Sequence, residues 1–204
     1  MLIKASRITS LTDARYFAAK NVQFLGFNLE MGTPGYLDPM YMRAIREWVQ
    51  GPLIVGEYAT TPVAEVREAA TFFGLDAVQV TADYLPELVH LATIPILLAV
   101  DADQEVTRVE ALFRQAAPYV EHFIVQVSAK NNVESSFGDQ AEFWKSICAQ
   151  HSVLLHWDGM PGDLPTLLDI WPLAGLSLMG GNEQQVGVKS FAEMEEIFDW
   201  LEEQ

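Results

Sequence analysis

The chain has 204 residues, half of them apolar, one cysteine, and a formal charge of -16 from 12 basic and 28 acidic side chains. That length and apolar share can bury a sizeable core without staples, and the negative charge opposes nucleic acid and anionic membrane surfaces. No apolar run approaches the roughly 20 residues of a membrane span, and the first residues lack the order of a signal peptide, so the expectation is a cytoplasmic protein with no nucleic-acid or membrane partner.

In chain order, apolar or β-branched runs fall at 2–6 (LIKAS), 24–28 (FLGFN), 53–58 (LIVGEY), 76–80 (DAVQV), 96–100 (ILLAV), 123–127 (FIVQV), 153–157 (VLLHW) and 176–180 (LSLMG). Between them, apolar residues recur three and four apart: Leu11, Ala14, Phe17 and Ala18; Val63, Val66, Ala69 and Ala70; Val106, Val109, Leu112 and Phe113. This spacing predicts amphipathic helices. Start signals precede four of them: Thr9 or Ser10, Asp38-Pro39, Thr61-Pro62 and Asp103. At the C-terminus, Met194, Ile197, Phe198 and Leu201 share one face of an acidic segment and predict an ordinary outer helix.

Strict alternation of strand and helix implies a parallel sheet with right-handed crossovers. Eight repeats in roughly 200 residues predict a single-domain α/β chain folded as a (β/α)8 TIM barrel over 1–204. A doubly wound open sheet is the alternative, but the stretch SRITSL after the first strand lacks the glycines of a dinucleotide site. In a barrel, functional side chains gather where strands end and βα loops begin, and the loops after strands seven and eight often hold phosphate.

Several short motifs, in collinear order, resemble the phosphoribosylanthranilate isomerase family of tryptophan biosynthesis. Lys4, Ile8 and Thr9 match its opening, Leu25-Gly26-Phe27 its second strand, and Thr33 to Leu37 (TPGYL) the loop that follows. VGEY resembles its third strand, GLDAVQV its fourth-strand entry, and GNE with GVKS its eighth-strand loop. The resemblance implies a TIM barrel, an Amadori rearrangement of a phosphosugar, a cysteine base ending strand one and an aspartate acid ending strand six.

Both catalytic positions depart from that pattern, with Ser6 in place of the cysteine and Gln126 in place of the aspartate. A hydroxyl titrates far above a thiol's pKa of roughly 8.5, and an amide exchanges no proton in this range. Each positioned acid or base typically supplies on the order of 10²–10⁴-fold, so losing both predicts an inactive pair at Ser6 and Gln126. The family's carboxylate-facing arginine becomes Gly35, its strand-four histidine Thr81, and its paired glycines after strand seven Asp158 and Gly159. Gly180, Gly181 and Glu183 keep a phosphate-loop-like run, although the two glycines fit a turn equally well.

Other candidates carry two readings each. Ser6 is either a polar pocket contact or a small residue at the barrel rim. Arg7, standing where the family has glycine, meets a carboxylate ligand or pairs with the acidic rim. Gln126 shares the parity of Ile124 and is either a satisfied core amide or a ligand contact. His156, at the end of strand seven, forms a new polar site with Trp157 and Asp158 or is structural. His122 and His151 fall at strand starts and His90 in a helix, so the histidines do not converge on a metal. Glu57, Asp83, Asp101, Asp103, Asp158 and Glu183 come from separate loops without compact ligand spacing, and Asp101 with Gln104 reads as a capping pair. No metal or cofactor is expected. Cys148 reads as a buried structural thiol. Trp48, Trp171 and Trp200 are core anchors or a dimer patch, leaving monomer or homodimer open. The expected ligand is a small phosphosugar-like or carboxylate molecule, bound by a non-catalytic protein. The alternative is an isomerase or lyase using Arg7, His156 or Asp158 in new roles.

Overall fold

The computed structural model describes residues 1–126, 140–157, 164, 168–169, 171–180, 183–185, 188–189 and 191–202, with backbone alone for 183–185, 188–189 and 193. Eight parallel strands close into a barrel in sequence order: β1 (Leu2–Ser6), β2 (Phe24–Asn28), β3 (Leu53–Glu57), β4 (Ala77–Thr81), β5 (Ile96–Asp101), β6 (His122–Gln126), β7 (Val153–Trp157) and β8 (Gly175–Met179). β8 pairs with β1 from Leu2↔Gly175 to Ser6↔Met179. The barrel expectation therefore holds, and every predicted strand is found within one residue of its sequence-based bounds.

Around the barrel run α1 (Leu11–Ala19), α2 (Pro39–Glu47), α3 (Val63–Phe73), α4 (Leu88–Leu91), α5 (Val106–Ala116), α6 (Ala141–Gln150) and α7 (Ala192–Glu202). A short antiparallel hairpin, β9 (Glu183–Gln185) with β10 (Val188–Lys189), follows β8. No helix among the described residues is long and apolar enough to cross a membrane.

Local chemistry explains two of the helix starts. Ser10 caps α1, accepting from Asp13 N–H at 3.2 Å, while Asp13 accepts in return from Thr9 N–H at 3.4 Å. Asp38 caps α2, accepting from Met40 N–H, with Pro39 at the first helical position. Two predicted caps are corrected. α3 opens behind Pro62 without a side-chain cap, because Thr61 turns its hydroxyl to Glu30 instead. α5 begins only at Val106, since Asp101 accepts from Asp103 N–H at 2.9 Å and makes a turn ahead of the helix.

Strand alternation divides the core in two. Ala5, Leu25, Phe27, Val78, Val80, Leu98 and Val125 face outward and pack on the helices in a shell that includes Phe17, Phe113, Ile197 and Phe198. Phe24, Val55, Ala77, Leu97, Ile124 and Leu154 face inward and fill the lower barrel. Burying each of the valine, leucine, isoleucine and phenylalanine side chains contributes about 1.5–3 kcal/mol. Cys148 lies in α6 against this shell, lining a small apolar cavity with Val125, Trp144 and Trp171, and burial pushes its thiol up to about 12. Trp171 and Trp200 also pack on the shell, but Trp48 does not act as a core anchor: at 73% exposure it stands at the end of α2 in solvent.

Candidate functional site

Above the apolar filling, the inward positions turn polar. Lys4 lies two residues below Ser6 on the same face of β1, and Glu57 ends β3. The Lys4 ammonium is fully buried, pairs with the Glu57 carboxylate, and donates to Ser6 Oγ at 2.5 Å. Ser6 Oγ also lies 2.9 Å from Ser177 Oγ, the residue that opposes Lys4 across the β1–β8 seam. A buried ion pair is held at the floor of the mouth, with the Ser6 hydroxyl on it and that of Ser177 beyond.

Gly26 makes the room. A Cβ on it would sit 2.5 Å from Lys4 Nζ and collide with Glu57 as well. The leucine-glycine-phenylalanine run on β2 therefore has a steric reason in this chain. Burial pulls the Lys4 ammonium below its usual range, Glu57 opposes the shift through charge and hydrogen bonding, and the Arg7 guanidinium nearby adds to the lowering. Next along this layer, Gln79 opposes Glu57 in register, and its buried Oε1 has no hydrogen-bond partner among the described residues.

Arg7 follows β1 with φ 52°, the left-handed region that favours glycine. It keeps the backbone shape of a glycine while presenting an exposed cation, and among the described residues it makes no ion pair. Gly180 closes the seam above β8. Its N–H donates to Ser6 O at 2.9 Å, so that donor is engaged within the barrel and is not presented to a phosphate.

Other candidates take different places. Gln126 ends β6 and is exposed, which removes its reading as a satisfied core amide and leaves it at the mouth beside Asp101. His156 is half-buried on β7, opposite Ser177 in register, so the structure brings it toward the Lys4 layer. Thr81 donates to Ala59 O at 3.3 Å, tying β4 to the loop after β3. Gly35 has φ 78° with open space around it, a left-handed position an arginine would occupy only under strain. Its loop is fixed by Asn28, whose Nδ2 donates to Thr33 Oγ1 and Pro34 O. Asp158, Gly159 and Gly181 lie outside the described residues, and Glu183 is placed by its backbone alone, in β9. Among the described residues no group of three or more histidine, cysteine or acidic side chains is arranged for a metal.

Two functional supports escape a reading by sequence. Glu30, buried after β2, accepts from Ala59 N–H at 3.0 Å and from both the N–H and hydroxyl of Thr60 at 2.6 Å, so it holds the loop after β3 in place. Burial alone would raise its pKa, and these bonds with that of Thr61 outweigh it, leaving the carboxyl below its usual range. Lys4 and Glu57 form the second. The signal was a charged residue at inward parity in each of two apolar strands, unreadable as a pair until the register is known.

No family model matches the chain, and no curated protein sequence does. Solved structures do resemble it. Phosphoribosylanthranilate isomerase from Thermotoga maritima, in monomers made from a dimeric enzyme, superimposes with a TM-score of 0.76 at 18% identity, covering 100% of both chains. The enzyme from Thermus thermophilus gives 0.75 at 20% identity over 100% of this chain and 99% of its own. A 3-hexulose-6-phosphate synthase gives 0.63 at 12% identity, covering 97% and 98%. At these identities the likeness is one of fold.

Proposed function

We propose that the protein keeps an isomerase-type barrel mouth as a binding site for a small anionic ligand, a phosphosugar or carboxylate, without performing the Amadori proton shuttle. One observation carries the reading: Ser6 Oγ is clamped between the Lys4 ammonium and Ser177 Oγ. A serine hydroxyl titrates far above a thiol, and the two groups bonded to this one, an ammonium and another hydroxyl, are not general bases that would take its proton. Gln126 across the mouth brings an amide where an acid would be needed. Arg7, exposed and unpaired among the described residues of an acidic chain, supports an anionic ligand.

Purified protein incubated with phosphoribosylanthranilate should bind it, as followed by the fluorescence of its anthranilate ring, and leave it unchanged at neutral pH. Installing Ser6→Cys with Gln126→Asp, and then Gly35→Arg, should raise turnover from background. Brisk conversion by the unmodified chain would overturn the reading and favour the alternative, an isomerase or lyase with relocated acid-base groups at Arg7, His156 or Asp158.

A further inference from the structure

We propose that Lys4 is an imine-forming nucleophile for a small oxo acid, its carbonyl meeting Nζ at the barrel floor while Arg7 holds its carboxylate. This rests on the reading of the mouth as an anion-binding site and names the ligand class. Three observations lead to it. Two cations belong to one strand and its end, Lys4 buried on the inward face of β1 and Arg7 exposed directly after it. The only anion bound to either among the described residues is Glu57, so the pair of cations is one negative charge short. And a buried ion pair is seldom more stabilising than apolar residues of the same volume, so its retention at the catalytic end of a barrel points to chemistry.

The surroundings match the steps. Glu57 takes a proton from Lys4, and the freed amine adds to the carbonyl carbon, whose oxygen becomes a hydroxyl. Ser6, which accepts from Nζ, and Ser177, bonded to Ser6 in turn, are the hydroxyls at hand to hydrogen-bond that group. Protonated Glu57 then returns its proton as the hydroxyl leaves as water, and a C=N double bond forms. Of the three ammonium protons, one stays on nitrogen and two depart with the carbonyl oxygen. Glu57 ends as a carboxylate beside an iminium cation, so the buried site holds one positive and one negative charge before and after, and desolvation opposes neither state more than the other. Ser6, 6% exposed, lies between Nζ and the mouth.

The test is borohydride trapping with pyruvate on the full chain, read by peptide mass mapping. Lys20 and Lys145 are more accessible, so uncatalysed chemistry favours them. The expected result is a carboxyethyl adduct concentrated on Lys4. Arg7→Met removes one charge that bears on Lys4, so it should lower labelling by acetaldehyde slightly, cut Lys4 labelling by pyruvate many-fold more, and be partly rescued by Arg7→Lys. Glu57→Gln should abolish Lys4 labelling if it folds, and the Arg7 series decides if it does not. Calorimetric binding of pyruvate with Lys4 unmodified overturns the imine and leaves the binding site standing. Adducts only on Lys20 and Lys145, with no binding of pyruvate or of phosphoribosylanthranilate, overturn both.

Discussion

Gly26 and Lys4 exclude one another's bulk: the volume a side chain on Gly26 would need is filled by the Lys4 ammonium, 2.5 Å from where the Cβ would lie, and by its partner Glu57. The clash is with a buried, paired group that has little freedom to move. Gly26→Ala is therefore expected to destabilise the barrel by about 1–3 kcal/mol, as overpacking does, seen as a lower urea midpoint at unchanged slope.

The ion pair itself predicts a non-additive pattern. Glu57→Gln strands the fully buried Lys4 ammonium without its counter-charge and should cost on the order of 3–5 kcal/mol. Lys4→Met combined with Glu57→Leu removes both charges and should recover most of that loss. A double-mutant cycle by urea denaturation measures the coupling, and additive effects would contradict the pairing.

Arg7 sets stability against ligand recognition. A left-handed backbone costs a residue with a side chain roughly 1–2 kcal/mol, which glycine avoids at the expense of some unfolded-state entropy. Arg7→Gly should raise stability by about 0.5–1 kcal/mol while weakening anion binding, a trade typical of binding positions. A stability loss in thermal melts would mean that the side chain contributes to the fold.

Acid should weaken the fold in two windows. His122 bonds Ser152 Oγ at 2.7 Å, and burial holds its pKa below the usual value, with Glu121 partly opposing. Its folded pKa is lowered, so its contribution is complete above the unfolded value of about 6.5 and declines as pH falls toward the folded one. Glu30, also lowered, contributes fully above about 4.3 and loses that contribution as pH falls through its folded pKa. Stability should fall as pH drops below about 6.5 and again below about 4.3. His122→Gln should lessen the first decline, and His151, whose pKa burial also lowers, accounts for the remainder. Glu30→Gln should flatten the second, at a cost on the order of 1–3 kcal/mol at neutral pH from its lost charge-assisted bonds.

The sequence by itself determined the eight strands, a cap at Thr9 or Ser10 and another at Asp38, the buried Cys148 and the outer face of α7, because each depends on residues within a turn or two of one another. The family resemblance adds the expectation that a proton-transfer pair would stand at Ser6 and Gln126. Tertiary structure alone decided the floor of the mouth. Lys4 meets Glu57 across 53 residues and Ser6 meets Ser177 across 171, and Glu30 reaches Thr60 from the neighbouring loop. Alternation says that a strand residue points inward or outward, but which inward residues share a layer depends on strand register and barrel closure, and these arise only when distant strands pair.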